Sequence, residues 1–165
     1  MDFDLHKATP RLPSMVAFQI LVSVQNITIH RCVIDEGAST CIMSKNVWRK
    51  LGALELKPSV ITLRTYDGRP STPVGLFENV PVCLAKKTVH IDIKFLDTHL
   101  DYNILLGRSY MYAMSTIASS IFQIMMFPHE DRIITVDDLT HTKKRLLTNT
   151  HTVIPYVDIA TDGLV

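Results

Sequence analysis

A mainly β fold with one or two short helices is what this sequence predicts, on three observations. Short runs of branched apolar residues recur along the chain, separated by turn chemistry rather than by long amphipathic stretches. One of them, Val89-His90-Ile91-Asp92-Ile93-Lys94-Phe95, alternates apolar and polar side chains with period two, as a strand buried on one face does. A single segment, Lys45 to Leu51, carries helix punctuation at both ends.

Residues 1 to 14 hold two prolines and little periodicity, so they read as an arm or linker, and the folded unit is expected to start at Met15 and run to residue 139. Val16 to Val24 and Ile27 to Ile34 are predicted strands, joined by a tight hairpin at Gln25-Asn26 and ending at Asp35. Ser44 is placed to cap the helix that follows, and Gly52 to take its left-handed stop. Val60 to Thr65 predicts a further strand, turned at Tyr66-Asp67-Gly68-Arg69-Pro70 into a hairpin with an exposed tip. After the period-two strand come Ile104-Leu105-Leu106, then Ile121 to Phe127, then a turn at Pro128 to Asp131 and a strand at Ile133 to Val136. That makes seven or eight strands. From residue 140 to 165 polar residues and Lys143-Lys144-Arg145 replace the pattern, which predicts a tail or connector.

At 165 residues and 47% apolar composition the chain suits one domain with one core. Seventeen Lys and Arg against sixteen Asp and Glu leave no positive field for nucleic-acid phosphates or anionic lipid. The longest apolar run, Ile121 to Phe127, is far below the ~20 residues that cross a bilayer. With no charged-then-apolar leader either, the expectation is a soluble, intracellular, cytoplasmic protein. Cys32, Cys41 and Cys83 form no CxxC pair and have no histidine ligand pattern beside them, so buried free thiols are expected rather than disulfides or a metal site. Met111, Met114, Met125 and Met126 are expected to fill core.

The segment richest in chemistry is Val33-Ile34-Asp35-Glu36-Gly37-Ala38-Ser39. It sets a carboxylate at the end of an apolar strand and follows it with small residues that let a second backbone approach. Taken alone, such an Asp is also what a turn former looks like.

Two later segments change its weight. Tyr66-Asp67-Gly68 and Tyr102-Asn103-Ile104-Leu105-Leu106-Gly107-Arg108 follow Asp35 to Ser39 in an order that resembles the retropepsin-like aspartic proteases, most closely those of Ty3/gypsy-type retrotransposon polyproteins. Ala118-Ser119-Ser120 and the strand ending Phe127-Pro128 look like that family too, and the resemblance runs from about Phe18 to Asp138.

The resemblance implies a closed acid-protease barrel and a homodimer in which each chain supplies one catalytic Asp, here Asp35, from the loop Glu36, Gly37, Ala38 and Ser39. It implies hydrolysis of an extended polypeptide by activated water, with neither metal nor other cofactor, and with Tyr66, Asp67, Gly68 and Arg69 as a flap over the substrate. Leu106, Gly107 and Arg108 take a structural role near the site, with Asp101 as a candidate partner for Arg108. The other Asp-Gly pairs, Asp67-Gly68 and Asp162-Gly163, lack the spacing and lead-in strand of a second catalytic loop, so the site has to be completed by a second chain. Glu36 departs from the family, which usually has Ser or Thr there, because an ionised carboxylate accepts hydrogen bonds but donates none. The alternative it leaves open is a catalytically impaired module kept for dimerisation or peptide binding.

Overall fold

The computed structural model describes residues 13–65 and 67–137. Most of the expected N-terminal arm, the C-terminal tail and Tyr66 lie outside the described residues. The chain is mainly β: β1 (Gln19–Val24), β2 (Ile27–Ile34), β3 (Cys41–Met43), α1 (Lys45–Lys50), β4 (Leu63–Arg64), β5 (Pro70–Ser71), β6 (Gly75–Leu84), β7 (Lys87–Phe95), β8 (Ile104–Leu106), α2 (Arg108–Met114), β9 (Ile117–Ser119), β10 (Ile124–His129) and β11 (Arg132–Val136). Six strands close a barrel in the order β1-β2-β8-β3-β7-β6, beside a three-stranded sheet β11-β10-β9 and a two-stranded sheet β4-β5.

The first hairpin turns where expected. Gln25 and Asn26 both adopt positive φ, 49° and 64°, the geometry whose twist matches that of the strands it joins. Ser44 caps α1 by accepting the Val47 N–H, and Gly52 stops it at φ 85°. The barrel interior is filled by residues such as Ile20, Val24, Cys32, Met43, Ile93, Ile104 and Leu106, with Tyr110 and Met114 of α2 and Met125 and Phe127 of β10 closing it from outside. Cys32 and Cys41 are buried free thiols and Cys83 is half-buried; among the described residues no cluster of His, Cys, Asp or Glu could hold a metal. Met111, Met114 and Met125 are core, whereas Met126 is half-buried.

Several elements differ from expectation. The strand predicted over Val60 to Thr65 shrinks to Leu63–Arg64, because only β5 is there to pair with it, and Val60 stands 96% exposed. The longest strand, β6, escapes a period-two reading because a bulge between Phe77 and Val80, with Asn79 at φ 55°, shifts its alternation and Pro81 interrupts its polarity. Three residues of the run from Ile121 belong to a turn, with Gln123 at φ 52°. Pro128 is in β10 rather than in the turn. It lies past the last residue that β9 reaches, so its missing N–H costs the sheet nothing on that side. The turn is Glu130-Asp131, at φ 47° and 58°. The short β3, β9 and α2 were not separately expected. No described helix is long and apolar enough to cross a membrane.

Candidate active site

Asp35 follows the last residue of β2, and parallel pairing with β8 sets its height. Cys32, Val33 and Ile34 stand level with Ile104, Leu105 and Leu106, and the Asp35 N–H carries the ladder one step further by donating to the Leu106 carbonyl at 3.1 Å. The chain then turns. The Gly37 N–H donates to Asp35 Oδ1 at 2.9 Å, and the Ala38 N–H to the Asp35 carbonyl at 3.2 Å. A carboxylate held by a backbone donor inside its own loop has one oxygen oriented and the other left for a further partner.

The loop is locked from beneath by the segment that sequence placed with it. The Arg108 N–H donates to the Ala38 carbonyl at 2.8 Å, and Cys41 Sγ lies 3.3 Å from Ser109 Oγ. Gly107 has ordinary helix-cap dihedrals, so its need for glycine is one of space. A Cβ there would stand 2.3 Å from the Thr40 carbonyl oxygen. The loop carrying Asp35, Glu36, Gly37, Ala38 and Ser39 and the segment Leu106, Gly107 and Arg108 thus form one backbone-bonded unit. Asp35 and Ala38 are half-buried, and Glu36, Gly37 and Ser39 are exposed.

Arg108 corrects the expected ion pair. Its side chain is exposed at the start of α2, while Asp101 faces His99 at 3.7 Å, and the arginine that reaches Asp101 is the buried Arg31, through the Asp101 backbone carbonyl at 3.5 Å. What Arg108 gives the loop is its backbone N–H. Among the described residues no hydrogen bond joins Ser39 to His30, whose carbonyl accepts from the Asn103 amide.

Tyr102 and Asn103, which have no separate role in the sequence argument, prove to be neighbours of the loop. Asn103 is buried and bridges three elements: its side-chain amide donates to the His30 carbonyl at 2.8 Å, its N–H to the Arg31 carbonyl, and its carbonyl accepts from the Ser44 N–H. Burial pushes the Tyr102 phenol up to about 12, with the negative charges of Asp35 and Asp101 adding to the shift. A half-buried hydroxyl donor thus stands within the electrostatic reach of Asp35.

The β4-β5 hairpin is a separate unit. Asp67 organises its tip by accepting from Thr65 Oγ1 and from the Arg69 N–H, and by pairing with the Arg69 guanidinium at 2.7 Å. The Thr65 hydroxyl, then the Arg69 N–H, hold the exposed Asp67 carboxyl below its usual value. Gly68 lies at φ 81° with nothing within 4 Å of an added Cβ. Among the described residues no hydrogen bond or ion pair joins Asp67, Gly68 or Arg69 to the Asp35 loop.

The fold class these features define is the retropepsin-like one, and solved structures match it, two of which illustrate the likeness. One is the retroviral protease-like domain of Ddi1 from Leishmania major, at 13% identity and a TM-score of 0.56, covering 73% of this chain and 94% of that one. The other is a retropepsin-like aspartic protease from Rickettsia conorii, at 24% identity and a TM-score of 0.54, covering 68% of this chain and 83% of that one. No protein-family model matches the sequence, and no curated protein does.

Proposed function

We propose that this chain is an aspartic-type endopeptidase of the retropepsin kind, whose site is completed when two copies pair and each supplies Asp35. The substrate class is an extended polypeptide, namely a retrotransposon polyprotein of the Ty3/gypsy kind. The observation that carries the reading is the setting of Asp35, a carboxylate at a strand end whose loop is bonded to Leu106 and Arg108 and whose Oδ1 accepts the Gly37 N–H.

One such loop in one barrel is half of a two-carboxylate site, which is why pairing belongs to the reading. With two Asp35 side chains at the axis, both cannot remain ionised at close range, so they share a proton, as the paired carboxylates of aspartic proteases do. The ionised one takes a proton from water as that water attacks the peptide carbonyl, while the protonated one donates to the carbonyl oxygen. The hairpin that carries Asp67, Gly68 and Arg69, with Tyr66, then covers the peptide and supplies backbone hydrogen bonds. The working unit is assigned to residues 15–139, acting in the cytoplasm.

A second reading, a pairing or peptide-binding module without catalysis, is favoured by one residue. Glu36 is exposed in the single chain beside Asp35, where pairing would bring two carboxylates together with no donor between them. The deciding experiment incubates the purified protein and its Asp35→Asn variant with an unstructured polypeptide, while sedimentation reports the oligomeric state. Cleavage by the dimer that is lost in Asp35→Asn by about a thousandfold supports the protease. Dimerisation without cleavage at any pH supports the module. Cleavage retained in Asp35→Asn removes this carboxylate from the chemistry altogether.

A further inference from the structure

The same ladder that positions Asp35 lays out a row of side chains on the outer face of the barrel. Val33, Leu105, Ile42, Lys94 and Leu76 are register partners across the neighbouring strands β2, β8, β3, β7 and β6. Their sequence neighbours Cys32, Ile104, Leu106, Cys41, Met43, Ile93 and Phe77 fill the core, so alternation turns the row away from it. Asp35, two residues after Val33 and still bonded to the ladder, shares the face of Val33.

Four members of this row are apolar and the fifth is a lysine that is only 9% exposed. A lysine whose side chain is so largely covered often has a carboxylate beside its ammonium. Lys94 has none among the described residues. Asp92, on the same face of β7, accepts the Asn79 N–H, and Glu78 of β6 is paired with Lys57. Burial accordingly pulls the Lys94 ammonium below its usual value. Lys94 thus holds a covered stem in an apolar row and a partly desolvated ammonium with no anion to pair with in the chain by itself.

We propose that Lys94 is a specificity-determining residue that takes an acidic side chain, Asp or Glu, of the bound peptide in a subsite walled by Ile42, Leu76 and Leu105. The proposal rests on the proteolytic reading, because a peptide laid over Asp35 is what brings a side chain to this face. Lys94 stands three strands from Val33, on the order of 14 Å at the usual strand spacing, and an extended peptide advances about 3.3 Å per residue. The acidic residue is therefore roughly two to four positions from the scissile bond. Pairing there replaces the water that both charges lose, so discrimination falls between a carboxylate and its neutral amide twin.

The test measures binding, so that it does not depend on turnover. Fluorescently labelled octapeptides with one Glu scanned through each position, each matched by its Gln twin, are titrated against the Asp35→Asn protein carrying Lys94, Lys94→Met or Lys94→Arg. Circular dichroism checks that each variant is folded. At one position the Glu peptide is expected to bind about tenfold more tightly than its Gln twin, with the ratio kept in Lys94→Arg and falling to near one in Lys94→Met. Equal binding of the twins at every position, a preference that survives Lys94→Met, or no peptide binding at all overturns the proposal. A Lys94-dependent preference for Glu in a protein whose Asp35 form cleaves none of these peptides overturns the proteolytic reading alone.

Discussion

Gly107 lies against two carbonyls of the Asp35 loop, so closely that a Cβ on it would stand 2.3 Å from the oxygen of Thr40 and 2.7 Å from that of Ala38. Both obstacles are backbone and cannot swing aside as a side chain would. Gly107→Ala is expected to destabilise the fold by about 3 kcal/mol, from overpacking at a site with no slack. For a chain of this length that lowers Tm by about 10 °C. Gly52→Ala, where φ is 85° but space is open, should cost about 1 kcal/mol by backbone strain alone. Thermal melts of the two variants side by side check the ranking, and an unchanged Tm for Gly107→Ala would mean that the loop does not rest on this segment.

Tyr102 offers a titration that reports on Asp35. Its phenol is raised to about 12, first by burial and then by Asp35 and Asp101. A folded-state value above the unfolded one, about 10, means that the folded chain keeps a proton the unfolded chain has lost. The stabilisation is complete below pH 10 and disappears as pH rises through about 12, by about 2 kcal/mol in all. Tyr102→Phe should remove that part of the alkaline loss of stability. In absorbance titrations, the difference between the wild type and Tyr102→Phe isolates this phenol, and Asp35→Asn should move its midpoint downward. A midpoint unmoved by Asp35→Asn would separate the two groups.

The hairpin tip is bonded within itself, through Asp67, Thr65 and Arg69, and among the described residues no hydrogen bond or ion pair ties Asp67, Gly68 or Arg69 to the barrel. Gly68→Val places a branched residue at φ 81°, which costs about 1 to 2 kcal/mol locally. Cleavage is expected to slow at least tenfold while Tm falls by no more than about 7 °C. Matched losses in the melting and rate assays would make the hairpin a structural element instead of a moving cover.

If two copies pair as proposed, Glu36 is expected to make that pairing favour acid. Two like charges near a two-fold axis repel, and protonation of either relieves them, so the dimer takes up protons that separate chains do not and gains stability as pH falls. Glu36→Thr should tighten the dimer about tenfold near pH 7 and hardly at all near pH 4.5, since it removes the repulsion and restores a hydroxyl that both donates and accepts. Sedimentation at the two pH values decides. The same pH dependence in both proteins would mean that Glu36 stays in solvent after pairing.

Local chemistry was legible in the sequence wherever it alone decides geometry. Gln25-Asn26 has residues that tolerate positive φ, Ser44 and Gly52 bracket a helix, and β7 alternates without interruption. The association of Asp35 to Ser39 with Leu106 to Arg108 was legible only as a likeness in order, yet parallel pairing does bring the two together. What stayed hidden depends on tertiary context. The turn Ala85-Lys86 takes positive φ at both residues with neither Gly nor Asn to announce it, and the bulge in β6 masks a ten-residue strand. Lys94 reads as an ordinary solvent-side residue of β7, and only the folding of β6 and β3 on either side reveals that it is covered.

The two sides of the candidate site come from distant parts of the chain. Asn103 holds the His30 carbonyl across a sequence separation of 73 positions, and Asp35 takes its height from Leu106. Contacts of such range are slow to form because most of the chain must first be gathered in. On a ribosome, Asp35 emerges long before the strand that orients it, so a nascent chain carries the acid without its mounting. Synthesis itself acts as a timer: the carboxylate acquires its setting only after β8 has left the exit tunnel.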